Sequence, residues 1–397
     1  MSDIINDSKK IDEILERGVD EVIVGLHLQK RLKAGEKLRI KFGVDPTAPD
    51  IHLGHLVPLR KLKQFQNLGH QIIFIIGDFT ATVGDPSAKK EARKPLTKKE
   101  VESNLKDYLK QVGKILNIDK TEIHYNSEWY DKFNAMSLYG LTSKITIQRA
   151  LERDDFQKRL SENRDISILE IIYPLLQGYD SVMVKSDLEV GGTDQKFNLL
   201  MGRKIQKRYG QKSQDIMTTL ILEGTDGVSK MSKSLGNYIK IDEPANEMFA
   251  KIMSISDKIM PKYFELLTDL LESEYEEKIK KNPKDAKMML AALILEQLHG
   301  AKEAEIAKEN FQKVFAKGEL NEADIEEKEI KANDYLLKDL LVGLGLVESK
   351  SQSQRLILQK AVEINNSLKI DPMETIRVSG GEIVKVGKYR LAKIKAK

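Results

Sequence analysis

The chain has 397 residues, 41% of them apolar and 32% charged, a balance that excludes intrinsic disorder and leaves room for two or three domains. It has no cysteine, which rules out disulfides, thiolate catalysis and Cys-ligated zinc, and its longest apolar runs, such as Met288 to Leu295, fall far short of the roughly 20 residues of a membrane span. The net charge of +4 is uneven: residues 331–397 hold 13 Lys/Arg against 7 Asp/Glu, a net +6 that leaves −2 for the rest, so the tail is expected to meet a polyanion.

Met1 to Val22 carries both signs of charge and no apolar stretch, so neither a secretory signal nor a transit peptide is expected, and the cytoplasm is the expected location. Leu38–Val44 reads as a strand, and Leu56, Leu59, Leu62, Phe65 and Leu68 line one face of a following helix that Gly69 stops. Gln71 to Gly77 is an apolar run typical of a strand buried on both faces. Strand, helix and buried strand make a βαβ unit, which predicts a doubly wound, Rossmann-like parallel sheet. Helix with loops is expected to about residue 180, then a strand at Leu188–Gly192 and a helix over Asp194–Tyr209. From Asn246 to Lys317 the pattern is nearly all helical, with Asn282-Pro283 as a cap and first helical residue. The acidic stretch Glu319 to Glu329 reads as a linker, and residues 335–397 as two short helices followed by short strands with turns at Asn365-Asn366 and Gly387. The expected division is a catalytic domain over 1–225, a helical domain over 226–330 and a small α+β module over 331–397.

Two motifs carry chemistry. Phe42-Gly-Val-Asp45-Pro-Thr47 leaves the first strand, and His52-Leu-Gly54-His55 opens the next helix, where free N–H groups and the helix dipole attract phosphate. Gly54 offers close approach to a flat ring because no side chain intervenes. An HxxH zinc pair is the rival reading, and the sequence supplies only four other histidines and no cysteine. Some 175 residues further on, Lys230-Met-Ser-Lys233-Ser234 lies in a polar, glycine-bounded loop. Two mobile ammonium groups there would stabilise the charge growing on a departing pyrophosphate. A third cluster places Tyr173, Gln177 and Asp180 at i, i+4 and i+7 on one helical face. Gly191-Gly192-Thr-Asp194-Gln195 follows on a strand-to-helix turn.

In this order and separation the two motifs resemble the signature pair of class I aminoacyl-tRNA synthetases, and the third cluster resembles the amino-acid pocket of the tyrosyl members. The resemblance runs over nearly the whole chain. It implies that His52, His55, Lys230 and Lys233 act on the phosphates, with Asp45, Thr47, Gly54, Gly192, Asp194 and Ser234 holding ATP. It implies that Asp180 accepts the phenolic hydroxyl of tyrosine. Tyr173, Gln177 and Gln195 would bind the ammonium group and flank the ring, joined by Thr80, Asp85 and Asn126. The family often has a second tyrosine where this chain has Lys41; whether the hydroxyl then relies on Asp180 with water, or Lys41 turns to solvent, the sequence leaves open. Tryptophan stays possible as substrate, although Asp180 argues for a phenol.

The tail resembles an S4-type RNA-binding module, which implies RNA contacts at Lys350, Arg355 and Lys360; the family's adjacent arginines and Gly-Gly read here as Gln354-Arg355 and Lys360-Ala361. The implied partners are tyrosine, ATP with Mg²⁺ but no protein-ligated metal, tRNA(Tyr) and a second copy of the chain. Two other classes stay open: a nucleotidyltransferase that makes a coenzyme precursor, and an RNA-binding protein on an inactive core.

Overall fold

The structure is a computed structural model that describes residues 4–85, 96–105, 107–317, 327–347, 349–365, 367–387 and 390–397. Most of the expected acidic linker, like Pro86 and Asn366, lies outside the described residues. Contacts divide the chain into two compact units: one runs through Asp242 and includes Ile255–Leu298, the other comprises Glu243–Ser254 and His299–Lys397.

The first unit is built on a six-stranded sheet. Its strands are β1 (Val19–Ile23), β2 (Arg39–Val44), β3 (Gln71–Ile76), β4 (Thr121–Tyr125), β5 (Leu188–Gly192) and β6 (Asp215–Thr219), in spatial order β1-β6-β5-β2-β3-β4. All neighbours are parallel except the edge strand β1, which runs antiparallel to β6. The chain builds outward from β2 through β3 and β4, then returns to the other side of β2 with β5. The order therefore reverses between β2 and β5, and ligands of such sheets bind beyond the strand ends at that reversal.

The expected β2, β3 and β5 are present, and Gly69 ends the helix Leu53–Asn67 with φ +94°. Three strands escaped the sequence reading. β1 and β4 are edge strands whose mixed polar and apolar residues are only half buried, so they lack the apolar run that marks β3. β6 is fully buried but short, and Asp215, Thr218 and Thr219 mask it.

Ser167 and Glu170 cap the helix Ile168–Val184 reciprocally, at 3.2 and 2.9 Å. That helix packs on Lys196–Arg208 through Gly178, where a Cβ would come within 3.3 Å of the Gly202 backbone. Asn282 caps Pro283–His299 as expected, accepting from the Lys284 and Asp285 amides.

In the second unit, the helices Ala245–Met253 and Ala301–Lys317 bring Phe249 and Phe311 into tilted ring contact, centroids 5.2 Å apart. Its C-terminal part forms a five-stranded sheet from Val362–Ile364, Ser367–Lys369, Ile383–Val386 and Arg390–Ala396, together with Glu327–Ile330, which joins Arg390–Ala396 in parallel. The helices Leu337–Gly343 and Lys350–Leu358 cover it, and Leu337, Leu340, Leu341, Ile357, Val362 and Val384 form a core of its own. The expected turn residues Asn365 and Gly387 take φ +48° and +65°.

Candidate active site

Of the residues that the sequence singled out for ATP and amino acid, all but Asn126, Lys233 and Ser234 line one cavity of about 330 Å³ at the carboxyl ends of β2 and β5. One wall is the end of β2 with the helix Leu53–Asn67. His52 sits extended before the first helical residue, its ring 3.9 Å from that of His55. The His52 backbone N–H points at His55 Nδ1 at 3.3 Å, so that nitrogen accepts and the His55 proton belongs on Nε2. Burial, followed by the nearby charge of Lys233, holds His55 down to about 4, and burial holds His52 well below the usual histidine range. Both rings are therefore neutral at pH 7. As neutral rings they offer N–H donors and no positive charge.

Gly54 has a second reason beyond the one expected from sequence. A Cβ there would lie 3.0 Å from the His52 ring, so glycine makes the space in which that ring sits. Gly77 is tighter still: a Cβ would meet Asp45 Oδ1 at 2.0 Å. Its absence lets Asp45 fold under the end of β3, accepting from Thr80 Oγ1 at 2.7 Å and Tyr173 OH at 2.9 Å. Burial, with Asp85 and Asp180 adding negative charge, pushes the Asp45 carboxyl up to about 7. Gln195 Nε2 donates to Asp85 Oδ2 at 2.9 Å.

Tyr173, Gln177 and Asp180 share one face of their helix and turn it to the cavity. Asp180 Oδ1 accepts from Trp129 Nε1 at 3.0 Å and Tyr130 OH at 2.9 Å, whereas among the described residues Oδ2 has only the longer contact to Asn126 Nδ2 at 3.4 Å. Burial pushes this carboxyl up to about 6, against the lowering effect of Lys41 and of its hydrogen-bond donors. Asn126 is fully buried behind the wall, bonded to Thr80 Oγ1 at 2.9 Å and to Asp180. The sequence reading missed Trp129 and Tyr130, although Trp129 is the one tryptophan in the chain. Lys41 does not turn to solvent: it is fully buried beside Glu189.

The lysine loop is pinned at its base. The buried Asn237 accepts from the Ser232 amide at 2.8 Å and donates to Asp226 Oδ2 at 2.9 Å. Lys230 reaches into the cavity and pairs with Asp194 at 2.9 Å. Lys233 opens the turn Lys233–Leu235, close enough for its charge to depress both histidines, and Ser234 Oγ lies 2.9 Å from Ser232 Oγ. Among the described residues no group of three or more His, Cys, Asp or Glu converges as metal ligands, so the histidine pair gains no third donor for the zinc reading. In the tail, Arg355 and Lys360 are exposed and Lys350 pairs with Asp339 at 2.9 Å.

A doubly wound sheet whose switch point gathers a neutral histidine pair, a lysine loop and a buried carboxylate defines a nucleotide-dependent activating enzyme with no Walker loop. Among known families, the one described as tRNA synthetases class I (W and Y) matches residues 33–316. The chain belongs to that family. It is similar to the tyrosine–tRNA ligases of Thermotoga maritima, 48% identical over 96% of each chain, and Carboxydothermus hydrogenoformans, 50% identical over 98% of each. Its fold resembles two solved structures. One is a C-terminally truncated mitochondrial tyrosyl-tRNA synthetase of Aspergillus nidulans (TM-score 0.66, 23% identity, 77% of this chain and 94% of that one). The other is the tyrosyl-tRNA synthetase of Archaeoglobus fulgidus complexed with L-tyrosine (TM-score 0.60, 24% identity, 76% of this chain and 100% of that one). Family membership sets the coenzyme-precursor nucleotidyltransferase aside.

Proposed function

We propose that the chain is a tyrosine–tRNA ligase. The observation that carries this reading is the Asp180 carboxylate in the cavity: Trp129 and Tyr130 occupy one oxygen and the other keeps capacity to accept a phenolic hydroxyl. An apolar benzo ring would leave that buried oxygen with only its long contact to Asn126, which disfavours tryptophan. Tyrosine's carboxylate oxygen attacks the α-phosphorus of ATP, the bond to the bridging oxygen breaks and pyrophosphate leaves. A hydroxyl of the terminal tRNA ribose then attacks the acyl carbon and AMP departs. No side chain is acylated, so the protein contributes position and electrostatics. His52 and His55 donate to the phosphates as neutral rings, Lys230 and Lys233 meet the developing pyrophosphate, and Gly192, Asp194, Thr47 and Ser234 hold the nucleotide. Mg²⁺ arrives with ATP. Tyr173, Gln177 and Gln195, backed by Thr80, Asp85 and Asn126, receive the ammonium end of tyrosine.

The chain works in three parts: a catalytic part to about residue 225, a helical part that carries the lysine loop, and an RNA-binding module of S4 type that includes Lys350, Arg355 and Lys360. The strand Glu327–Ile330 belongs to the sheet of that module. The enzyme acts in the cytoplasm as a homodimer. Met136, Tyr139, Ile147 and Ile168 are apolar and exposed within a stretch of about 30 residues, which suits a surface covered by a second copy. Among the described residues no helix is long and apolar enough to cross a membrane. The test is ATP–pyrophosphate exchange with each amino acid in turn: tyrosine alone should support it, and exchange driven by tryptophan would overturn the assignment.

A further inference from the structure

Behind the cavity lies a charged pair that the reaction above does not use. Lys41 on β2 and Glu189 on β5 are partners in the sheet register, with side chains 0% and 1% exposed and Nζ 2.8 Å from Oε1. The ammonium group spends its other donors on the Gln177 carbonyl at 2.9 Å and Ser181 Oγ at 2.8 Å. Glu189 also accepts from Gln177 Nε2 at 3.3 Å, Ser181 Oγ at 3.2 Å and Gln214 Nε2. A buried pair of this kind is a poor source of stability, because desolvation offsets most of the attraction and apolar residues of similar volume do as well. Its place against the cavity suggests another use.

The pair grips Gln177 twice, at its backbone carbonyl through Lys41 and at its side-chain amide through Glu189. A carboxylate accepts only, so the NH₂ of the Gln177 amide must face Glu189. The amide oxygen is then left as the group offered to the cavity. A flipped amide would present N–H donors to an incoming cation instead. We propose that Lys41 and Glu189 form a positioning pair that locks the Gln177 amide with its oxygen toward the substrate ammonium group. Lys41 also supplies the positive charge that must accompany Glu189 in a dry interior.

This inference rests on the reading that the cavity takes tyrosine, and the experiment separates the two. Binding of tyrosine and of 3-(4-hydroxyphenyl)propanoate, which lacks the amino group, is measured by calorimetry on the full-length protein and on Glu189→Gln and Lys41→Met. Failure of the unaltered protein to bind tyrosine would sink the functional reading itself. In each variant, tyrosine affinity should fall about tenfold or more, the loss of one hydrogen bond to a charged group, while the propanoate changes by less than about twofold. Equal weakening of both ligands, or of neither, would overturn the positioning role. If a single variant fails to fold, Lys41→Met/Glu189→Gln removes both charges together and is judged by the same two ratios.

Discussion

Lys230 Nζ lies 2.9 Å from Asp194 Oδ2, so a residue expected to hold ATP already holds one lysine of the phosphate loop. The charge of the neighbouring Lys233 bears on the histidine pair. In the proposed function Asp194 holds ATP, so entering ATP would compete with Lys230 for it, which would couple nucleotide binding to release of the loop.

From this coupling the two lysines should differ. Lys233→Ala should slow tyrosyl-adenylate formation by about 100-fold with tyrosine binding unchanged, because it removes a contact made only as pyrophosphate leaves. Lys230→Ala should cost less, since the free enzyme loses a competing ion pair along with the catalytic contact. Pre-steady-state adenylate formation reads both, and an unaltered rate in Lys233→Ala would remove that lysine from the mechanism.

Gly54→Ala is expected to lower the exchange kcat by about 100-fold with little change in melting temperature. The added methyl would press on the His52 ring at 3.0 Å, and small displacements of positioning groups have large kinetic cost. Steady-state exchange kinetics together with a melting curve distinguish this from simple loss of folding.

Asp180→Asn keeps an oxygen for Trp129 and Tyr130 but removes the charged acceptor for the phenol. Preference for tyrosine over phenylalanine, taken as the ratio of kcat/KM in exchange, should fall by about 10- to 100-fold.

The same variant should have a pH-dependent stability advantage. In the folded protein Asp180 releases its proton near pH 6, against 3.8 when unfolded, because burial disfavours its charge. The folded state binds the extra proton between those values, so this residue's contribution to stability is present at low pH and is lost as pH rises through about 6. The amide that replaces the carboxyl in the variant does not titrate. Denaturant unfolding of both proteins without ligand should show the variant gaining on the parent by about 2 kcal/mol between about pH 4 and pH 7. A constant difference across that range would mean that the carboxyl is not perturbed.

Deletion of residues 327–397 should leave pyrophosphate exchange intact and sharply reduce charging of tRNA. The cut falls before the strand Glu327–Ile330, because that strand pairs with Arg390–Ala396 and would otherwise be left without its sheet. Transfer to tRNA by the full-length protein should weaken steeply with salt, and the truncated form should show a shallower slope. Charging at near-normal kcat/KM by the truncated protein would assign tRNA binding elsewhere.

The sequence made the central strands and most of the cavity legible because both are local signals. β3 is one unbroken apolar run, the two motifs are contiguous, and Tyr173, Gln177 and Asp180 recur at helical spacing. What stayed hidden is what depends on pairing between distant segments. β6 is recognised as a strand only through β5 and β1, since its polar residues are satisfied by partners such as His27 on Asp215 at 2.8 Å. The fate of Lys41 depended on Glu189, some 150 residues away, and Trp129 and Tyr130 acquire their role only when β4 delivers them beside Asp180.

Nature has also left a built-in optical probe in this molecule. Trp129 is the sole indole in 397 residues, is nearly enclosed, and donates its N–H to the carboxylate that we propose accepts the substrate hydroxyl. Indole emission responds to the charge and hydrogen bonding at its nitrogen. A phenol arriving at Asp180 redistributes that carboxylate's charge, so the ultraviolet emission of the unlabelled protein should follow occupancy of the amino-acid pocket in real time. No other tryptophan contributes background, and every variant that spares Trp129 brings its own titration signal with it.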